Sequence, residues 1–201
     1  MKMVHADAST FAEGVSKEEA LQQVVEQAEG LIYEQRNWAA NLANAASLLW
    51  HAYKSLPSPS KEVNWAGFYV LDPSSHPSQP SLILGPFQGK VACQTIAFGR
   101  GVCGTAAATQ QTQLVPDVDA FPGHIACDGA SKSEIVVPIT IDVIRSEGAG
   151  AGVGAGMPIP HVEKKIVAII DLDCADKDGF DETDRVWLEK LAALLGRGCD
   201  W

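Results

Sequence analysis

An α+β domain is what the sequence predicts: one antiparallel sheet of five or six strands, with N- and C-terminal helices packed on one face and a loop-covered pocket on the other. Three observations lead there. Apolar residues recur with helical period at both ends of the chain, whereas the middle carries short aromatic and β-branched runs, and no repeating strand–helix alternation connects them. With 201 residues and 46% hydrophobic content, the chain can bury one proper core without disulfide staples. The predicted layout is a single domain over 1–201, with N-terminal helices over 16–55, a sheet with its loops over 64–174 and a C-terminal helix over 181–197.

The first helix begins at a capping box, Ser16 with Glu19, ahead of a stripe formed by Leu21, Val24, Val25, Ala28, Leu31 and Ile32. A second stripe runs through Trp38, Leu42, Ala45, Ala46, Leu49, Trp50 and Tyr53, and must end before Pro57. From Asn64 the period changes. WAGFYVL and SLILGPF read as an antiparallel pair joined by the exposed loop PSSHPSQP, and Cys93 with QTIAF reads as another strand. GRGVCGTAAATQ has the form of a glycine turn entering a short helix, with Cys103 near its N-terminus. Two later strands, Glu134 to Ile144 and Lys164 to Cys174, flank the low-complexity run Gly148 to Gly156, which reads as a flexible insertion. The last helix starts near Asp181 and packs Trp187, Leu188, Leu191, Leu194 and Leu195.

Composition excludes several functions. A net charge of −10, spread as single acids, argues against nucleic acid and anionic membrane as partners, and no segment has the length needed to cross a bilayer. The start of the chain lacks a secretory pattern, so the expectation is a soluble protein of the cytoplasm. Clustered thiols in such a compartment bind metal or do redox chemistry. Cys93, Cys103 and Cys127 contain no C-x-x-C knuckle, which disfavours structural zinc, and a zinc deaminase is excluded for the same reason.

Alternation along KKIVAIIDLDC sends Ile166, Ala168, Ile170 and Leu172 to one face and Val167, Ile169, Asp171 and Asp173 to the other. Two carboxylates on one face repel, so one of them, if buried, holds its proton near neutrality and can act as an acid. Glu134 opens the neighbouring strand and adds a third carboxyl group, and a pocket lined by acids suits an α-amino group. Two cysteines compete as nucleophile. Cys103 has the helix N-terminus, which favours a thiolate. Cys127 follows His124 by three residues in the loop FPGHIACDGAS. Spacing does not choose between them. Cys174 and Cys199 lack such surroundings and read as packing thiols. A thiolate in an acid-lined pocket with further thiols nearby suits a two-step reduction: sulfur attacks an electrophilic substrate while a carboxylic acid protonates the departing oxygen. A second cysteine then condenses with the resulting sulfenic acid to a disulfide, which an external dithiol protein reduces.

The segments NWAGFY, LGPFQGKVAC, GVCGTAA, DV followed by FPGHIACD, and SEIVVPI, in this order, resemble the free methionine-(R)-sulfoxide reductases, which are built on the GAF fold. The resemblance covers about Asn64 to Asp173. It implies reduction of free L-methionine (R)-sulfoxide to methionine, with Cys127 as catalytic thiol and Cys93 and Cys103 as its partners. By the same resemblance Glu134, Asp171 and Asp173 bind substrate, and Trp65 and Tyr69 pack its methyl and methylene groups. It further implies thioredoxin or a similar dithiol protein as reductant, and neither cofactor nor metal. A homodimer paired through helices agrees with the resemblance, although the same stripes serve intramolecular packing equally. The alternative on this fold is a GAF sensor that binds a small ligand without turning it over and gives the cysteines no role. A cysteine hydrolase using Cys127 with His124 is a further alternative, with a single essential thiol.

Overall fold

The structure is a computed structural model that describes residues 6–125, 128–146 and 160–201. Cys127 and the Gly148 to Gly156 insertion lie outside the described residues.

Six strands form one sheet, with each neighbouring pair antiparallel: β1 (Val63–Leu71), β2 (Ser81–Gly89), β3 (Thr95–Ala97), β4 (Gln113–Val115), β5 (Ser133–Ser146) and β6 (Pro160–Cys174), in the spatial order β3-β2-β1-β6-β5-β4. One face carries α1 (Lys17–Ile32), α2 (Trp38–Ser55) and α4 (Glu182–Gly198). The other carries the short α3 (Gly101–Thr109) and the loops. Among the described residues no helix is long and apolar enough to cross a membrane.

Local chemistry explains the helices. Ser16 and Glu19 cap α1 reciprocally, with Glu19 N–H on Ser16 Oγ at 3.2 Å and Ser16 N–H on Glu19 Oε2 at 3.0 Å. Asp181 and Asp184 make a second capping box at α4, which the sequence reading did not name. Both N-terminal stripes face the sheet: Leu21, Val24, Ala28 and Ile32 of α1, and Leu42, Ala45, Ala46, Leu49 and Tyr53 of α2, enter one buried core with Phe68, Ile135, Ile170, Leu172, Leu188 and Leu195.

A polar knot crosses that core. Tyr53 donates its hydroxyl to Asp184 Oδ1 at 2.6 Å, and Lys17 Nζ reaches Asp184 Oδ2 at 2.6 Å, so a fully buried carboxylate ties α1 and α2 to the start of α4. Replacing Tyr53 with Phe is expected to lower unfolding free energy by about 2 kcal/mol, the size of a hydrogen bond to a charged group. Urea unfolding of both forms reads this as a lower midpoint at unchanged slope.

The strand limits depart from the sequence reading in three ways. Cys93 precedes β3 in a loop rather than lying in a strand. β4 has only three residues and was not anticipated, because so short an edge strand shows no alternation. On β6, Ile139 pairs with Ala168 and Thr140 with Ile166, so Val167 is an extra, bulged residue. The bulge reverses the facing beyond it: Val167 joins the helix-side core and Ile166 the pocket side, opposite to strict alternation.

Candidate functional site

The pocket lies on the α3 side of the sheet, and strand register builds its floor. Asp173 of β6 pairs with Trp65 of β1 on one side and Glu134 of β5 on the other, and Asp171 pairs with Gly67 and Val136. One row across three strands is thus Trp65, Asp173, Glu134; the next is Gly67, Asp171, Val136. Pleating points both rows toward the same face. The alternation expected for Asp171 and Asp173 therefore holds, because the bulge lies upstream at Val167.

Gly67 leaves the space that lets aromatic rings close in. A Cβ there would collide with the Phe87 side chain and come within 2.8 Å of Trp65 Cη2. Trp65 stacks on Phe87 at 5.2 Å and on Tyr69 at 5.7 Å between ring centroids, and its indole N–H donates to the Lys90 carbonyl at 3.1 Å. The result is a fixed apolar wall beside the acids. Helix α3 supplies the opposite side. Val102, Ala106 and Ala107 anchor it in the pocket-side core, and Gly104 permits close approach to β3, since a Cβ would strike the Ala97 carbonyl oxygen. That docking brings Cys103 Sγ to 3.5 Å from Glu134 Oε1.

The cavity measures about 60 Å³, space for the head of a small molecule rather than for a folded polypeptide segment. It is lined by Trp65, Tyr69, Cys103, Glu134, Asp171 and Asp173, all six named from sequence, together with His124. Cys93 is half-buried in the loop whose residues Lys90, Val91 and Ala92 line the mouth. The described residues on either side of the Cys127 position, Ile125 and Asp128, line it too.

Electrostatically the floor is under strain. Burial, reinforced by Asp171 and Asp173, pushes the Glu134 carboxyl well above the usual carboxylate range. Burial and then Asp173 do the same to Asp171. Half-buried Asp173 is raised by burial, against a Ser131 hydrogen bond, to only about 6. Glu134 and Asp171 are thus shifted toward their protonated forms, beside an Asp173 raised to about 6. Cys103 responds as well: burial first, then Asp171, Glu134 and Asp173, drive its thiol well up. The helix-terminus argument for a Cys103 thiolate fails, because three carboxyl groups and desolvation outweigh the dipole of a nine-residue helix.

Sequence reasoning missed the struts around the site. Lys90 Nζ approaches Asp128 Oδ2 at 3.5 Å, linking the β2–β3 loop to the FPGHIACD loop. Asn64 Nδ2 donates to Ser131 Oγ at 3.2 Å, which in turn serves Asp173. Asn64, Lys90 and Asp128 stand inside the quoted motifs, so motif membership was the available signal. Arg100, exposed at the mouth, gave none.

This fold and site define a class. Residues 60–198 match the family model of the GAF domain. A free methionine-R-sulfoxide reductase from Saccharomyces cerevisiae is 51% identical over 97% of this chain and 94% of its own length. One from Escherichia coli is 39% identical over 82% of this chain and 79% of its own. The solved free methionine-R-sulfoxide reductase from Neisseria meningitidis, in complex with its substrate, superposes with a TM-score of 0.72 at 36% identity, covering 94% of this chain and 95% of that one. The chain belongs to the free methionine-R-sulfoxide reductase family of GAF domains.

Proposed function

We propose that this protein reduces free methionine (R)-sulfoxide to methionine, with Cys127 as attacking thiol and a thioredoxin-like dithiol protein as reductant. One observation carries the reading: a single narrow cavity joins an aromatic wall, a thiol and three carboxyl groups, and both described neighbours of the Cys127 position line it. The naming of the relatives as reductases supports the substrate.

In this reading Trp65 and Tyr69 pack the S-methyl group, and neutral Glu134 and Asp171 donate hydrogen bonds to the sulfoxide oxygen. Ionised Asp173 meets the ammonium, while Lys90 and Arg100 at the mouth offer positive charge to the carboxylate. The Cys127 sulfur attacks the sulfoxide while a buried acid protonates the oxygen; the S–O bond of the substrate breaks as oxygen passes to the Cys127 sulfur, and the thiol proton returns to the carboxylate. Methionine leaves, and Cys127 becomes a sulfenic acid. Cys93 then attacks that sulfenic acid, water departs, and a disulfide forms; the external dithiol reduces it while becoming a disulfide itself. Cys93 suits this step better than Cys103, since it is partly exposed on a loop tied to the FPGHIACD loop through Lys90 and Asp128, whereas burial among acids holds Cys103 as a thiol.

The test is a dithiol-coupled assay on resolved free and N-acetylated methionine sulfoxides, with thiols counted before and after substrate. Turnover of the free R isomer with loss of two thiols is expected. A ligand that binds without turnover or thiol loss makes the domain a sensor instead. Asp173→Asn is expected to raise KM for the free sulfoxide about tenfold to a hundredfold with a smaller change in kcat, as for one lost charge-assisted hydrogen bond. An unchanged KM would place the ammonium elsewhere.

A further inference from the structure

We infer that Cys103, Glu134 and Asp171 form a binding site for a soft divalent cation, for which zinc is the probe, on the floor of the pocket. Each offers one ligand atom, and the three atoms lie within 4.8 Å of one another. All three residues are buried, with Asp171 only 5% exposed. Cys103 Sγ and Glu134 Oε1 are 3.5 Å apart. Two ligands on one tetrahedral zinc, at about 2.3 Å for sulfur and about 2.0 Å for oxygen, stand roughly 3.5 Å apart, so this pair already has the required spacing.

An independent feature points to a ligand as well: Asp171 Oδ1 is buried without a hydrogen-bond partner. A buried carboxylate oxygen left so carries a desolvation cost that a cation removes. His124 Nε2 lies 4.0 Å from Glu134 Oε2, beside the three-residue cluster but not part of it, so the fourth position is left to a water or a small ligand. Thiolate with carboxylate selects zinc-like ions over magnesium or calcium, which prefer oxygen alone. Ligation also exchanges the repulsion among the acids for attraction to one dication. The cation would occupy the place given above to the sulfoxide head, so metal and small ligand exclude one another.

Isothermal titration of zinc into the reduced, chelator-washed full chain tests this, with cobalt absorption as the second readout. One equivalent per chain and a thiolate-to-cobalt charge-transfer band are expected. Cys103→Ser should remove the band and weaken binding about 100-fold or more, and Asp171→Asn about tenfold or more, with circular dichroism verifying the fold. Cys199→Ser, on the far side of the sheet, should leave both readouts unchanged. Absence of stoichiometric binding overturns the inference. So does binding that survives both site substitutions, or a cobalt band that depends on Cys127 and not on Cys103. The binding does not rest on the proposed reaction: a failed reductase assay leaves it standing, and failed metal binding leaves the reductase reading untouched.

Discussion

Cys127→Ser is expected to lower kcat for free methionine (R)-sulfoxide by about 10⁴-fold or more, within the range seen when a nucleophile is removed, while circular dichroism and urea unfolding stay at wild-type values. The size follows from how poorly the other thiols can substitute. Cys103 faces the cavity, but its thiolate is opposed by burial and by Asp171, Glu134 and Asp173 together. A thiol held protonated is a weak nucleophile at neutral pH. Cys93 does not line the cavity, and Cys174 and Cys199 are buried in the helix-side core. A serine hydroxyl cannot accept the oxygen, because no counterpart of the sulfenic acid is available to it. Single-turnover assays with mass measurement check the point: wild type is expected to show transient oxidation and then a disulfide, and the variant neither. Near-normal turnover in the variant would move the attack to Cys103.

Much of this site was legible because a strand's side-chain period is two and needs no tertiary information. Alternation alone put Asp171 and Asp173 on one face. What alternation cannot supply is the neighbour across the sheet. Glu134 stands beside Asp173 only through the β5–β6 register, and these strands are separated in sequence by a long insertion. The Val167 bulge shows the same limit, since an extra residue against Ile139 and Thr140 leaves no mark in the apolar run IVAII. The helices were read well because their signals are local: a reciprocal cap at Ser16 and Glu19 and stripes of period 3.6. The raised Cys103 thiol has the opposite origin. Position near a helix N-terminus is local and visible, whereas the three carboxyl groups that outweigh it arrive from β5 and β6, on distant parts of the chain.

The acid row also shows where the fold gives up stability. Glu134 lies directly opposite Asp173, and like charges at such positions are destabilising. An ordinary core would place apolar residues there, as the neighbouring pair Ile135 and Leu172 does on the helix side. The upward shift of Glu134 and Asp171 toward their protonated forms relieves part of the repulsion, and the proposed reduction draws on the same protons.

Glu134→Gln is accordingly expected to reduce kcat by about 10²- to 10⁴-fold, the usual contribution of a general acid, with KM little changed. Glutamine keeps the volume of the side chain and can still donate a hydrogen bond to the sulfoxide oxygen, so binding survives. It cannot release a proton, and in the proposed reaction the oxygen takes one as it passes to Cys127. The pH dependence gives a second readout with a definite sign. Burial, then Asp171 and Asp173, raise the Glu134 carboxyl, so its protonated form persists well above the usual carboxylate range. Activity owed to this proton is full below the raised value and falls as pH climbs through it. The apparent pKa belongs to the Glu134, Asp171 and Asp173 cluster rather than to one residue. In the Gln variant the descending limb should flatten, because the proton whose loss it reports is no longer there. A variant that keeps both its rate and its alkaline limb would assign proton donation to Asp171 and leave Glu134 a positioning role against Cys103.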